Sequence, residues 1–444
     1  MKQLFLFILC TFLILPFSHQ ANAQTVIRDT EIELYLSEWF APIFQANGMQ
    51  PEQVNVILVQ SNQVNAFVAG GSNIFLYTGL IEKTDHPGEL IGVMAHELGH
   101  ITAGHLVRGR EALEQASYES ILGAIIGIGA AVAAGDAGGV AAGSLAGGSV
   151  AQRRFLATSR TFENSADQAA VQSMERAGMS PEGLLTFMQK LQGQELLPTS
   201  QQSEYIRTHP LTRDRVESLQ AKVDTSDKTG TPFPAEWMEQ HKRMIAKLTG
   251  FINSSQVAWA YDDRDQSVPA VYARSIAAYR QNELDESIKL INQLITKEPK
   301  NAYFHELKGQ MLMDYGRVEE SLPSYERALA LAPQSGLIRT ALAHAQIESA
   351  RGDKGQYQMA VENLKRAARD EPRSTRVHRL LATAYGRLDQ DSMARLHLAE
   401  EAILQRKDKY ARQQAKLALE GLEKGSAAAL RANDIITFSR PNKS

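Results

Sequence analysis

Beyond Cys10 the 444-residue chain has no cysteine. A chain without thiols closes no disulfide and builds no cysteine-ligated metal centre, so any zinc it holds must be bound by imidazole and carboxylate. An excess of one charge is also missing. The 47 basic side chains nearly balance 50 acidic ones, which removes the electrostatic basis for binding nucleic acid. Long apolar runs are lacking too: Leu4–Phe17 and the run opening Ile121–Gly148 each reach only about 14 residues, short of the roughly 20 that a spanning helix needs.

The first run follows Lys2, closes with Pro16, Ser18 and His19, and is followed by the small-x-small pattern Ala21-Asn22-Ala23. This reads as a cleavable export signal over residues 1–23. Cys10 sits inside the run after Leu9, so it carries no lipid and leaves with the signal.

Residues 24–223 are of mixed character: a helical opening (Glu31–Ala46), strand-like VNVILVQ and NIFLYTG around a Gly70-Gly71 turn, then helices. Asp224–Pro234 is polar and turn-rich, which marks a boundary and a linker with a connecting helix over 224–267. From 268 to 424 the chain is helical and repetitive. Pro299 and Pro333 each close an apolar helix 34 residues apart, the tetratricopeptide period. Gly309, Gly316, Tyr325 and Ala328 supply the small and large residues such helix pairs interlock. The next unit ends at Pro372, 39 residues on, with the extra residues expected as an insertion at Gly355–Met359 in the inter-helix turn. A degenerate fourth unit over about 374–405, a closing helix (Asp408–Leu422) and a tail over 425–444 follow. The expected fold is mainly α: a metalloprotease domain with a small β-sheet, then an all-α solenoid.

The chemistry concentrates in His96-Glu97-Leu98-Gly99-His100, preceded by apolar Leu90, Ile91, Val93 and Met94. Residues four apart share a helix face, so His96 and His100 reach one cation while Glu97 sits beside them as general base. A catalytic zinc needs a third protein ligand. The spacing H-E-x-x-H-x-x-G-x-x-H is excluded, because Ala103 and Leu106 stand where it requires glycine and histidine, and His105 comes one place early. A glutamate from a second helix is the other common solution. Glu163, within FENSADQAA, has Asp167 one turn later to accept a ligand histidine's free ring N–H; Glu111, Glu114 and Glu119 are further candidates without such a partner. The glycine-rich stretch 121–148 between these helices reads as a lid, with a membrane-dipping hairpin or a buried helix pair as alternatives. His209 before Pro210 reads either as a turn residue or as a residue of the site, and either it or an arginine such as Arg213 is a candidate for stabilising an oxyanion.

HELGH followed by His105, ENSAD at 163–167 and RTHPLTRDRV at 207–216 resemble the Ste-type CAAX-protease-related peptidases. The resemblance covers about residues 27–420. With the signal and the repeats, the chain is similar to members of that family that act in the periplasm in outer-membrane quality control. The resemblance implies a gluzincin-like protease with one Zn2+ per chain on His96, His100 and Glu163. It implies Asp167 behind the ligands, and His209 as a gate or fourth ligand that otherwise contacts substrate. It implies, too, a sheet edge near Asn65–Tyr77 that receives an extended substrate. The expected substrates are misfolded or stalled outer-membrane proteins. The repeats would dock onto the outer-membrane β-barrel assembly machinery, with peripheral membrane contact. The alternative is a chaperone or scaffold with a latent metal site.

Overall fold

The computed structural model describes residues 25–105, 108 and 160–439. The expected signal (1–23), the stretch 121–148 and Glu111, Glu114 and Glu119 lie outside the described residues.

A four-stranded sheet comes first: β1 (Thr25–Ile27), β2 (Asn55–Gln60), β3 (Ala66–Ala69) and β4 (Asn73–Tyr77), in the order β1-β2-β4-β3. The Gly70-Gly71 turn, with φ of +60° and +94°, joins β3 to β4 antiparallel, whereas β2 runs parallel to β4. The hairpin partner of β4 is therefore the short β3, which the turn throws onto the edge.

Before β2 comes α1 (Thr30–Ala46), whose first turn is capped by Asp29 accepting from the Ile32 N–H. Its inward stripe buries Trp39, Phe40, Ile43 and Phe44, each contributing about 1.5–3 kcal/mol. After the sheet come α2 (Thr78–Lys83) and α3 (Pro87–Thr102), then α4 (160–176), α5 (Glu182–Gln192), α6 (Glu204–Thr208) and α7 (Arg213–Thr225). Proline starts α3, and every residue from Pro87 to Gly99 is buried, so this helix is the axis of the domain. Its glycines set the packing distances. A Cβ on Gly92 would lie 2.6 Å from the Leu184 backbone of α5, and one on Gly99 would lie 2.9 Å from Ala166 O of α4. Within the linker range, α8 (Ala235–Ile252) adds Met244 and Leu248 to the same core. No described helix is long and apolar enough to cross a membrane.

After the short α9 (Val257–Ala260), helix pairs follow: α10 (Val268–Arg280) with α11 (Leu284–Lys297), α12 (Ala302–Asp314) with α13 (Val318–Leu331), and α14 (Gly336–Ser349) with α15 (Lys354–Asp370). The last two are α16 (Thr375–Arg387) with α17 (Asp391–Leu404), and α18 (Asp408–Leu419) with α19 (Ala427–Phe438). Ser267, Asn301 and Ser335 cap successive first helices at the 34-residue period. A Cβ on Gly309 would lie 2.9 Å from the Tyr325 ring, so that pair interlocks as the repeat requires.

Two expectations are corrected here. The extra residues of the third unit do not form a turn insertion at Gly355–Met359. That segment is the start of α15, with Asp353 accepting from the Gly355 N–H, and the surplus lengthens α14, the following turn and above all α15. Residues 425–444 are not only a tail: Ser426 caps α19, whose Ala429, Ala432 and Ile435 recur at every third position and form one buried face. The small alanines let α19 nest against α17 and α18.

The two halves meet through buried charge at the start of α1. Glu31 accepts from Tyr35 Oη (2.9 Å), Tyr272 Oη (2.8 Å) and Lys247 Nζ (3.0 Å), and Lys247 also reaches Asp29. Glu306 of α12 faces this cluster beside Thr30. Desolvation pushes Glu306 up to about 8, against Lys247 and with help from Asp29 and Glu31. The folded chain keeps this proton to about pH 8 while the unfolded chain releases it near 4.5, so stability falls as pH rises between those values. Glu306→Gln should therefore melt with wild type near pH 5 and above it at pH 8. A gap independent of pH in scanning calorimetry would contradict this.

Candidate metal centre

Helix α3 turns His96 and His100 toward one point, and the close approach allowed by Gly99 brings Glu163 of α4 to the same point. His209 arrives from the C-terminal end of α6, where its N–H donates to Tyr205 O at 2.7 Å and its ring stacks on Tyr205. His96 Nε2 lies 3.1 Å from His100 Nε2, 3.4 Å from His209 Nδ1 and 3.3 Å from Glu163 Oε2. Glu163 oxygens stand 3.5 Å from His100 Nε2 and 3.1 Å from His209 Nδ1, and all four ligand atoms lie within 4.8 Å of one another. Ligands at zinc bond lengths in a tetrahedron are separated by about 3.3–3.4 Å, and these separations scatter about that value.

Proton positions follow from the partners behind the rings. Ser165 Oγ donates to Phe162 O and so accepts from His105 Nε2; His105 Nδ1 is then left to accept from His100 Nδ1 at 3.0 Å. His100 Nε2 is bare. His96 Nδ1 stands 2.8 Å from Asp167 Oδ1, at ion-pair distance though off the line of a good hydrogen bond, which leaves its Nε2 bare as well. His209 Nε2 faces Ala66 O at 3.3 Å and Glu97 Oε1 at 3.4 Å, so its Nδ1 is the third free lone pair. Three imidazole lone pairs and a carboxylate converging at such distances repel unless a cation lies between them. The donors present fit a divalent metal.

Without a cation the cluster relieves that repulsion by holding a proton on His96, which a metal would displace. Burial pulls His96 down, yet Asp167 and Glu163 outweigh it and carry it up to about 10; burial and then the charge on His96 push His100 down to about 2. Burial works against the Glu163 carboxylate, but His209 and His96 hold it well below its ordinary value. Glu97 is fully buried and neither carboxylate oxygen has a hydrogen-bond partner; burial pushes it up, with His209 and His96 opposing. A buried carboxylate with no hydrogen bond, beside such a cluster, is suited to accept a proton.

One residue of the site was not anticipated. Arg213 points into solvent and pairs with Glu217, so it does not reach the centre. Arg215, only 2% exposed, does: its Nε and Nη2 fork onto Asp167 at 2.8 and 2.9 Å, its Nη1 donates to Pro210 O at 2.7 Å, and Nη1 stands 3.2 Å from Glu163 Oε2. The signal was present in α7, where buried Val216, Leu219 and Val223 mark an inward face that includes position 215 and leaves 213 outside.

Residues 31–223 match peptidase family M48, and residues 272–336 match the tetratricopeptide repeat. The chain is 27% identical over 349 residues to the beta-barrel assembly-enhancing protease of Escherichia coli (strain K12), covering 76% of this chain and 69% of that protein. It is 22% identical over 289 residues to the putative beta-barrel assembly-enhancing protease of Vibrio cholerae, covering 64% and 59%. The mitochondrial metalloendopeptidase OMA1 of Schizosaccharomyces pombe is 24% identical over 201 residues, covering 44% and 56%.

Proposed function

We propose, from the premise that this chain is a metalloendopeptidase with a peptidase family M48 domain and tetratricopeptide repeats, that it is a zinc enzyme of the periplasm acting in outer-membrane protein assembly. Its substrates are misfolded or stalled outer-membrane proteins, and its repeats dock it on the β-barrel assembly machinery. The observation that carries the reading is the convergence of His96, His100 and Glu163 beside a buried Glu97 that makes no hydrogen bond.

In this reading His96, His100 and Glu163 hold one catalytic zinc. When bound, zinc supplies Lewis-acid polarisation of the scissile carbonyl and lowers the pKa of a water molecule. Glu97 removes the water proton and passes it to the leaving amine. Asp167 holds the His96 tautomer that leaves Nε2 bare, and Arg215 holds Asp167. The edge strand β3 receives an extended segment of the substrate by strand addition, with His209 beneath it through Ala66 O.

His209 in reach of the ligands favours a second reading of the resting state, in which it fills the fourth position and keeps the enzyme latent while the repeats act as a scaffold. Zinc content and cleavage of casein and of a urea-unfolded outer-membrane β-barrel protein separate these roles. Glu163→Ala should lose one equivalent of zinc and all cleavage, whereas His209→Ala should keep its zinc and cleave faster. Undiminished cleavage by zinc-depleted Glu163→Ala would overturn the enzymatic reading, and slower cleavage by His209→Ala would overturn the latent one.

A further inference from the structure

A second set of metal-type donors is buried far along the chain from the protease centre. His378 on α16 and His397 and Glu400 on α17 are each at least nine-tenths buried. His378 Nδ1 lies 3.0 Å from Glu400 Oε2 and 3.2 Å from His397 Nδ1, and His397 Nδ1 lies 3.8 Å from the same Glu400 oxygen. These separations resemble those around His96. The rings are held in place: Tyr385 stacks on His397 at 5.5 Å with planes 5° apart, and His378 stacks on it as well.

Internal hydrogen bonding satisfies the set only in part, through the His378 Nδ1 to His397 Nδ1 contact. Glu400 Oε2 has no hydrogen-bond partner although it is buried and aimed at both Nδ1 atoms. The Arg431 guanidinium of α19 takes the other oxygen, Oε1, at 2.6 Å, and its own side chain is 62% exposed. That contact offsets part of the carboxylate charge and leaves Oε2 facing both Nδ1 atoms, where a cation would replace the proton they share. His378 and Glu400 line a cavity of about 260 Å3 with Arg431 and with Asp434, which brings a second carboxylate to its wall.

We propose that His378, His397 and Glu400 form a second divalent-metal site, of the zinc class, between the last repeats and α19. Two imidazoles and a carboxylate with no thiolate suit a borderline cation such as zinc and disfavour calcium or magnesium, which take oxygen ligands. Bound there, the cation ties α16 to α17 and neutralises the buried carboxylate that Arg431 reaches from α19. This site does not depend on the assignment of the catalytic zinc.

The test is zinc bound per full-length mature chain after saturation and removal of loose metal. Wild type should hold about two equivalents; His96→Ala/His100→Ala and His378→Ala/His397→Ala should each hold about one, a halving, and the quadruple variant none. Loading His96→Ala/His100→Ala with cobalt should give visible absorption bands of a low-coordinate site, and the quadruple variant should lose them. Should the His378→Ala/His397→Ala chain fail to fold by circular dichroism, the near-isosteric Glu400→Gln decides: it should be folded, cleave casein as wild type does, and hold about one zinc fewer. A wild type with a single zinc, lost entirely in His96→Ala/His100→Ala, would overturn the second site. So would a folded Glu400→Gln protein that keeps both ions.

Discussion

Glu97→Gln is expected to keep its zinc and lose about 10²–10⁴-fold in the rate of casein cleavage, the usual contribution of a positioned general base. Glutamine has the shape of glutamate, and neither Glu97 oxygen is hydrogen-bonded, so the exchange breaks no hydrogen bond and weakens only the 3.4 Å approach of His209 Nε2. What it removes is the capacity to take a proton. Burial already pushes the Glu97 carboxyl up, so replacing it with an amide relieves a desolvated charge and should leave the melting temperature unchanged or higher. Loss of cleavage with retained metal and retained stability separates a base from a ligand and from a structural residue. Cleavage within about tenfold of wild type at full zinc occupancy would move the base elsewhere.

Arg215→Met should be the most damaging single change for stability, costing roughly 3–5 kcal/mol because it leaves Asp167 buried without its partner. Burial works against the Asp167 carboxylate, but His96 and Arg215 hold it below its ordinary value of 3.8. The stability this pairing contributes is therefore present above about pH 4 and is lost as pH falls through the lower folded value. Urea unfolding of the metal-free protein should show the widest gap between wild type and Arg215→Met at neutral pH, closing in acid. The variant should also bind zinc more weakly, since Asp167 would no longer be fixed behind His96 and Nη1 would no longer restrain Glu163. A neutral-pH gap below about 1 kcal/mol would show that Asp167 is satisfied without the arginine.

Much of the site could be read from local spacing. His96, Glu97 and His100 lie within five residues of one helix, and Glu163 and Asp167 within five of another, so the 3.6-residue period alone puts each group on one face. The repeats were legible from a different local signal, the recurrence of Pro299 and Pro333 at 34 residues. Arg215 was not, because its partners lie 48 residues away at Asp167 and across a turn at Pro210, and nothing in RDRV states which arginine faces inward except the apolar residues that follow. His209 likewise reads as a turn residue until Tyr205 and Ala66 are seen on either side of its ring.

By itself, the sequence determined the donor types, the helix faces that present them and the period of the repeats, because residue identity, the 3.6-residue turn and the recurrence of Pro299 and Pro333 are all local to the chain. Tertiary structure alone decided which faces meet: that α3 and α4 approach closely at Gly99, that Arg215 rather than Arg213 enters the centre, and that α19 packs on the last repeats. Those outcomes depend on how small residues and buried apolar surfaces fit between distant segments, and such complementarity has no signature within any one of them.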